Sequence, residues 1–201
     1  LSSFTPMTAE MGDLKAAEVL QQFSQLVRES AARSDGRVVK QIGDAFMLVF
    51  PQAAPAVACL LEIERRVAGE THFPAVRGGI ALGSVLYREG DYVGSLVNLA
   101  SRLAGEADRH QVLITPEVRK EAAGLPDVEF APIGKRRLKG LTDDIELFEA
   151  RPAGGAVPEK LIDPVCGMEL GPSEVAVSLT LDGVANSFCS EDCLRKFVVS
   201  P

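Results

Sequence analysis

The sequence predicts an α+β fold followed by a small second domain, and three observations support this. A turn at Gly43-Asp44 joins two runs of β-branched and aromatic residues between Val38 and Phe50, which indicates a hairpin. Apolar residues at helical spacing recur on both sides of that hairpin, which indicates helices on one face of a sheet. After residue 150 the composition changes to RPAGGAVPE, and three of the four cysteines follow this linker-like stretch.

The elements of the first domain can be assigned in chain order. Asp13 to Ala32 is amphipathic, with Asp13 as a candidate N-cap, and predicts a helix. After the hairpin, Pro55 begins a second helix in which Cys59 is expected to be a small buried residue. The further predicted elements are a strand at 76–87, a helix through 96–103, a strand at 112–114, a helix from 116, and strands near 128–130 and 145–148.

Composition limits the function classes. The chain has 201 residues, of which 46% are hydrophobic, enough for one medium and one small core. Its net charge of -7 argues against nucleic acid as a partner. We find no stretch of transmembrane length and no signal segment, so a cytoplasmic location is the expectation. Cysteines in that compartment stay reduced, which favours metal binding over disulfides.

Two motifs carry chemistry. KxIGD at residues 40–44 puts an ammonium on a strand and a carboxylate at the hairpin tip. DxxGxxVNxAxR at residues 91–102 starts in a glycine-flanked loop and continues into a helix. Asn98 and Arg102 are then i and i+4 on one helix face.

These motifs, in this order and spacing, resemble the catalytic domain of class III adenylyl cyclases over residues 1–150. The resemblance implies the ferredoxin-like cyclase fold and formation of 3',5'-cyclic AMP and pyrophosphate from ATP. In that family the residue before a segment like Leu1-Ser2-Ser3-Phe4-Thr5 is a metal-binding Asp at the end of the first strand. We therefore expect this chain to lack that strand and one metal carboxylate, and to be inactive in isolation.

The resemblance also assigns roles to individual residues. Lys40 and Asp91 occupy the purine-selecting positions, and one donor plus one acceptor match the edge of adenine rather than guanine. Asn98 would orient the ribose and Arg102 would lie over the α-phosphorus. Lys139 matches a lysine that contacts the triphosphate. From the residues alone, a surface ion pair for Lys40 and Asp91, and solvated positions for the others, remain open.

Asp44 resembles one of two carboxylates that hold two Mg²⁺ or Mn²⁺ ions per active site. The alternative is an Asp that only satisfies turn backbone groups. In the family the metal carboxylates come from one chain, and the purine pair, Asn and Arg come from its partner. The resemblance thus implies a homodimer that is inactive as a monomer.

After a linker at 151–159, residues 160–201 resemble a YHS domain, a small TRASH-like module, with a treble-clef-like fold. Its frame is C-x22-C-x3-C, formed by Cys166, Cys189 and Cys193. Ser190 is expected to cap the last helix, so that the helix N-terminus favours thiolate at Cys193. Three thiolates suit Zn²⁺ or Cu⁺, but the sequence shows no fourth ligand, and simple burial of the cysteines is the alternative.

Two function classes follow. The first is an adenylate cyclase with a C-terminal metal-binding module. The second is a non-catalytic regulatory module in which a degenerate cyclase fold binds nucleotide and the cysteines sense metal.

Overall fold

A computed structural model of the chain describes residues 1–70, 72–154 and 161–199. These residues form two compact units. We call residues 27–64 and 76–154 the sheet unit. We call residues 1–26, 65–75 and the described residues from 161 onward the thiol unit. The thiol unit therefore combines both ends of the described chain.

The helices and strands are as follows. The helices are α1 (Phe4–Met11), α2 (Asp13–Arg33), α3 (Ala53–Ala68), α4 (Ser95–Glu106), α5 (Pro116–Glu121) and α6 (Glu191–Val199). The strands of the sheet unit are β1 (Arg37–Ile42), β2 (Ala45–Val49), β3 (Gly78–Ile80), β4 (Leu86–Arg88), β5 (Asp91–Val93), β6 (Val112–Ile114), β7 (Val128–Arg136) and β8 (Ile145–Pro152). Those of the thiol unit are β9 (Leu161–Ile162), β10 (Glu169–Leu170), β11 (Val177–Leu181) and β12 (Val184–Phe188).

A four-stranded sheet in the order β3-β6-β8-β7 is the centre of the sheet unit. β3 and β6 are parallel, and the other pairs are antiparallel. Val112 and Ile114 of β6 join a cluster with Val57 of α3, whereas Leu113 between them joins a cluster with Leu103 of α4. Because successive strand residues point to opposite faces, α3 and α4 cover opposite faces of the sheet. The expectation of helices on one face was wrong.

Two hairpins complete the sheet unit. β1 and β2 pair around the turn at Gly43-Asp44, as the sequence predicts. The predicted single strand at 76–87 is instead divided into β3 and β4, and β4 forms a hairpin with β5. Gly83 lies in the stretch between the two strands and favours the interruption, whereas Gly78 and Gly79 are part of β3.

The thiol unit contains the C-terminal hairpin of β11 and β12, which turns at Asp182-Gly183. Ser190 Oγ accepts a hydrogen bond from the backbone N–H of Cys193 at 3.2 Å, which confirms the predicted N-cap of α6. Glu10 of α1 binds Lys196 of α6, with 2.6 Å between Oε1 and Nζ. This contact joins α1 to α6 within one compact unit.

The predicted linker is only partly described. Its first two residues, 151 and 152, are the end of β8, and residues 155–159 lie outside the described part of the chain. Among the described helices, none combines the length and apolar character needed to cross a bilayer.

Candidate functional site

The predicted purine-selecting pair is in direct contact. The Lys40 ammonium on β1 donates a hydrogen bond to Asp91 Oδ2 on β5. Asp91 Oδ1 accepts a second hydrogen bond, from the backbone N–H of Tyr92, at 2.8 Å. The hydrogen-bonded Lys40 ammonium, followed by the Tyr92 N–H, lowers the pKa of the Asp91 carboxyl. A donor and an ionised acceptor thus lie side by side.

A second contact flanks this pair. Arg37 Nη2 donates to the Tyr92 hydroxyl at 3.0 Å, and the Arg37 guanidinium lies 5.7 Å from the centre of the Tyr92 ring. The pairing of β1 with β2 shifts register between Val38 and Lys40, which marks a β-bulge. Because a bulge adds one residue to a strand, it lets Arg37 and Lys40 both face the β4–β5 hairpin.

α4 carries the next two predicted residues. Asn98 and Arg102 are both exposed on this helix, one turn apart. The opposite side of α4 lies very close to β3, since a Cβ added to Gly79 would lie 2.4 Å from Leu103 Cβ and from Ala104 N. Gly79 therefore sets how near the helix can come to the sheet.

Asp44 and Lys139 lie on two further elements. Asp44 is half-buried in the turn between β1 and β2, where the preceding Gly43 has φ of 59°. Lys139 is exposed in the segment between β7 and β8, next to the fully buried Leu138. The structure thus brings Lys40 and Asp91 into contact, and it places the other four predicted residues on three separate elements.

The three cysteines of the thiol unit come together. Cys189 Sγ lies 3.6 Å from Cys166 Sγ and 3.6 Å from Cys193 Sγ. Cys166 lies before β10, Cys189 directly after β12, and Cys193 in the first turn of α6. Burial raises the pKa of each of these thiols to about 12. In the metal-free protein burial thus favours the neutral thiol, and the effect of the α6 N-terminus on Cys193 stays a prediction.

Asp163 is a functional candidate that the sequence reasoning missed. One oxygen of its carboxylate and the three Sγ atoms all lie within 4.8 Å of one another. The side chain is fully buried, yet hydrogen bonds from the backbone N–H groups of Cys189, Val165 and Cys166 outweigh that burial and lower the pKa of the carboxyl. The spacing D-x2-C before Cys166 is the signal that could have identified it.

The sequence profile of the adenylate and guanylate cyclase catalytic domain matches residues 1–149. This chain belongs to that family. Among curated relatives, a pH-sensitive adenylate cyclase of Mycobacterium tuberculosis is 39% identical over 116 residues, which cover 56% of this chain and 29% of the relative. An adenylate cyclase of Streptomyces coelicolor is 33% identical over 121 residues, or 60% of this chain and 32% of the relative. The chain thus spans about a third of these cyclases.

Solved structures agree on the fold. The adenylyl cyclase CyaB from P. aeruginosa superposes with a TM-score of 0.63 at 21% identity, covering 76% of this chain and 90% of that one. At this identity the similarity concerns the fold alone. The mixed α+β cyclase fold predicted from the motifs is confirmed.

Proposed function

We propose that this chain is the catalytic part of an adenylate cyclase that converts ATP to 3',5'-cyclic AMP and pyrophosphate. The observation that carries the proposal is the contact between Lys40 and Asp91. Adenine offers an acceptor at N1 and a donor at its exocyclic amine, so a fixed ammonium and carboxylate complement it, whereas guanine reverses both groups. The adenylate cyclases among the relatives support the same choice.

The remaining residues act on the sugar and the phosphates. In the reaction the ribose 3'-oxygen bonds to the α-phosphorus, the bond to pyrophosphate breaks, and the 3'-hydroxyl loses its proton. Arg102 stabilises the charge that grows on the α-phosphate, Asn98 orients the ribose, and Lys139 binds the triphosphate. All three are exposed, and so can reach a bound nucleotide.

Asp44 fits a hard divalent cation, because it presents carboxylate oxygens at the tip of a hairpin. When bound, two Mg²⁺ or Mn²⁺ ions neutralise phosphate charge and promote loss of the 3'-hydroxyl proton. One carboxylate cannot hold two ions, so we propose that Asp44 acts together with a second carboxylate.

The test is cyclic AMP formation from ATP and Mn²⁺ by the full-length protein that contains these residues. Asp44→Asn is expected to lower kcat by about 100-fold or more. The matched control is Asp182→Asn, since Asp182 also lies beside a glycine at a hairpin turn and has no proposed role. A protein that binds ATP but forms no cyclic AMP would favour the non-catalytic regulatory alternative.

We further propose that the active species is a cytoplasmic homodimer with composite sites. Asp44 of one chain would then act with Lys40, Asp91, Asn98 and Arg102 of its partner. Mixing inactive Asp44→Asn with inactive Arg102→Ala should restore about a quarter of the activity, because half of the dimers are mixed and each has one intact site. An inactive mixture that still forms dimers would contradict the composite site.

For the thiol unit we propose that Cys166, Cys189 and Cys193 bind a soft metal ion, Zn²⁺ or Cu⁺, in a YHS-like module. Their three sulfur atoms are already gathered, and soft thiolates select these ions.

A further inference from the structure

We propose that Asp163 is the fourth ligand of this cysteine centre, and that the four residues form a closed tetrahedral site for Zn²⁺. The inference rests on the proposed metal-binding role of the cysteines but not on the cyclase reaction. It supplies the ligand that the cysteine spacing alone does not provide.

The dimensions of the cluster suit zinc. With Zn–S bonds of about 2.3 Å, two sulfur atoms of a tetrahedral site lie about 3.8 Å apart. The observed separations of 3.6 Å, from Cys189 Sγ to Cys166 Sγ and to Cys193 Sγ, are close to this value. The Asp163 carboxylate lies within the same 4.8 Å group. The site can therefore bind the ion with small side-chain movements.

The hydrogen bonds of Asp163 hold its carboxylate in one orientation. Oδ1 accepts from the backbone N–H of Val165 at 2.8 Å and of Cys166 at 3.3 Å, and Oδ2 accepts from that of Cys189 at 2.8 Å. A carboxylate has about four acceptor positions, so one remains. The carboxylate oxygen and the three sulfur atoms lie within 4.8 Å of one another. An ion bound at that position would take the place of the thiol protons.

The charge of the centre also calls for a cation. Asp163, Cys166 and Cys193 are fully buried, and a buried carboxylate is costly without a positive partner. In the described part of the chain, Asp163 accepts its hydrogen bonds from backbone N–H groups, which carry no full charge. Lys196, one turn beyond Cys193 on α6, binds Glu10 instead. A divalent ion would supply the missing charge.

The ligand set distinguishes zinc from copper. Zn²⁺ takes four ligands and accepts sulfur and carboxylate oxygen together. Cu⁺ is selected by soft thiolates and gains little from a carboxylate. Asp163 should therefore matter for Zn²⁺ and not for Cu⁺.

The experiment measures metal binding to the 201-residue chain without nucleotide, so cyclase activity does not affect the result. Chelator competition gives the affinities for Zn²⁺ and Cu⁺, and Co²⁺ absorption reports the ligand set. We expect one Zn²⁺ per chain, and a loss of Zn²⁺ affinity of about 100-fold or more in Asp163→Asn with Cu⁺ affinity unchanged. Asp182→Asn, in the hairpin turn of the same module, should match the wild type.

A second variant keeps the test decisive if Asp163→Asn folds poorly. Asp163→Cys should bind Zn²⁺ as tightly as the wild type and raise the thiolate-to-Co²⁺ absorption by about one third, because four thiolates replace three. The proposal is overturned if the wild type does not bind Zn²⁺, or if Asp163→Asn binds it with wild-type affinity. It is equally overturned if Asp163→Asn weakens Zn²⁺ and Cu⁺ alike, since Asp163 would then serve only the fold.

Discussion

Arg37 donates a hydrogen bond to the Tyr92 hydroxyl at 3.0 Å, and each of these residues is a near neighbour of one member of the proposed purine-selecting pair, Lys40 and Asp91. Arg37 precedes Lys40 by three residues on β1, and Tyr92 follows Asp91 directly on β5. Tyr92 also packs on Tyr87 across the β4–β5 hairpin, with ring centres 5.0 Å apart. This contact therefore fixes the hairpin that carries Asp91 against the strand that carries Lys40.

We expect Arg37→Met to lower the preference for ATP over GTP, because Asp91 loses its fixed position relative to Lys40. The expected change is about 3- to 10-fold, which corresponds to the free energy of one exposed hydrogen bond. Tyr92→Phe, which keeps the ring under the guanidinium, should have a smaller effect. The measurement is kcat/KM for both nucleotides, with Arg88→Met at the exposed tip of the same hairpin as control. An unchanged ratio in Arg37→Met would exclude this positioning role.

Gly79→Ala should displace the helix that carries Asn98 and Arg102. The new methyl group would meet the backbone of α4 at 2.4 Å, so the helix must move away from β3. We expect a loss of about 1 to 3 kcal/mol in the free energy of unfolding, together with lower kcat. Gly105→Ala, at a position of α4 with open space around it, is the matched control and should retain both. Urea unfolding and initial rates measure the two effects.

The buried thiol of Cys59 should make the protein less stable in alkali. Burial raises the pKa of this thiol from 9.0 to about 11. The neutral thiol is thus favoured in the folded state, so its stabilising contribution is complete below pH 9 and is lost as the pH rises through 11. Relative to Cys59→Ala, the wild type should lose up to about 3 kcal/mol over this range. Urea unfolding of both proteins at several pH values from 8 to 11 measures this loss. If the difference between their free energies of unfolding does not change with pH, the thiol does not titrate in this way.

Glu64 of α3 and His110, before β6, are joined by a hydrogen bond with 2.8 Å between Oε1 and Nδ1, and both side chains are largely buried. The backbone N–H of His110 also donates to Val76 O at 2.8 Å. Glu64→Gln should cost about 1 to 3 kcal/mol, because it weakens a buried charged hydrogen bond. Thermal unfolding measures this cost, with Glu106→Gln at the exposed end of α4 as the control variant. If the two variants are equally stable, the buried hydrogen bond does not contribute as expected.

Local patterns predicted much of the sheet unit. The hairpin around Gly43-Asp44 and the helix through Leu103 follow from residue periodicity within a dozen positions, and both are present. The β-bulge near Val38 was not predicted, because no residue type marks it in the sequence. The β4–β5 hairpin was missed because each of its strands has three residues, too few for a periodic signal.

The cysteine centre illustrates a different limit. The spacing of the cysteines predicted that they would meet. The local sequence around Asp163 indicates only a turn before Cys166, so it does not identify Asp163 as a candidate ligand. Its contact with the N–H of Cys189 spans 26 residues. In the same way, the helix position of Cys193 can be predicted from the sequence, whereas its burial depends on the assembled unit.

The contact between Glu10 and Lys196 joins residues that are 186 positions apart in the chain. The two helices that carry them, α1 and α6, are therefore synthesised at very different times. A ribosome adds about 5 to 20 residues per second, so α6 follows α1 by roughly 10 to 40 s. During this interval α1 has emerged while the strands and cysteines of its own unit do not yet exist. Nascent chains arrested before residue 161 should therefore carry an incomplete unit at their N-terminal side. Of the described helices, the one that is synthesised first belongs to the unit that is completed last.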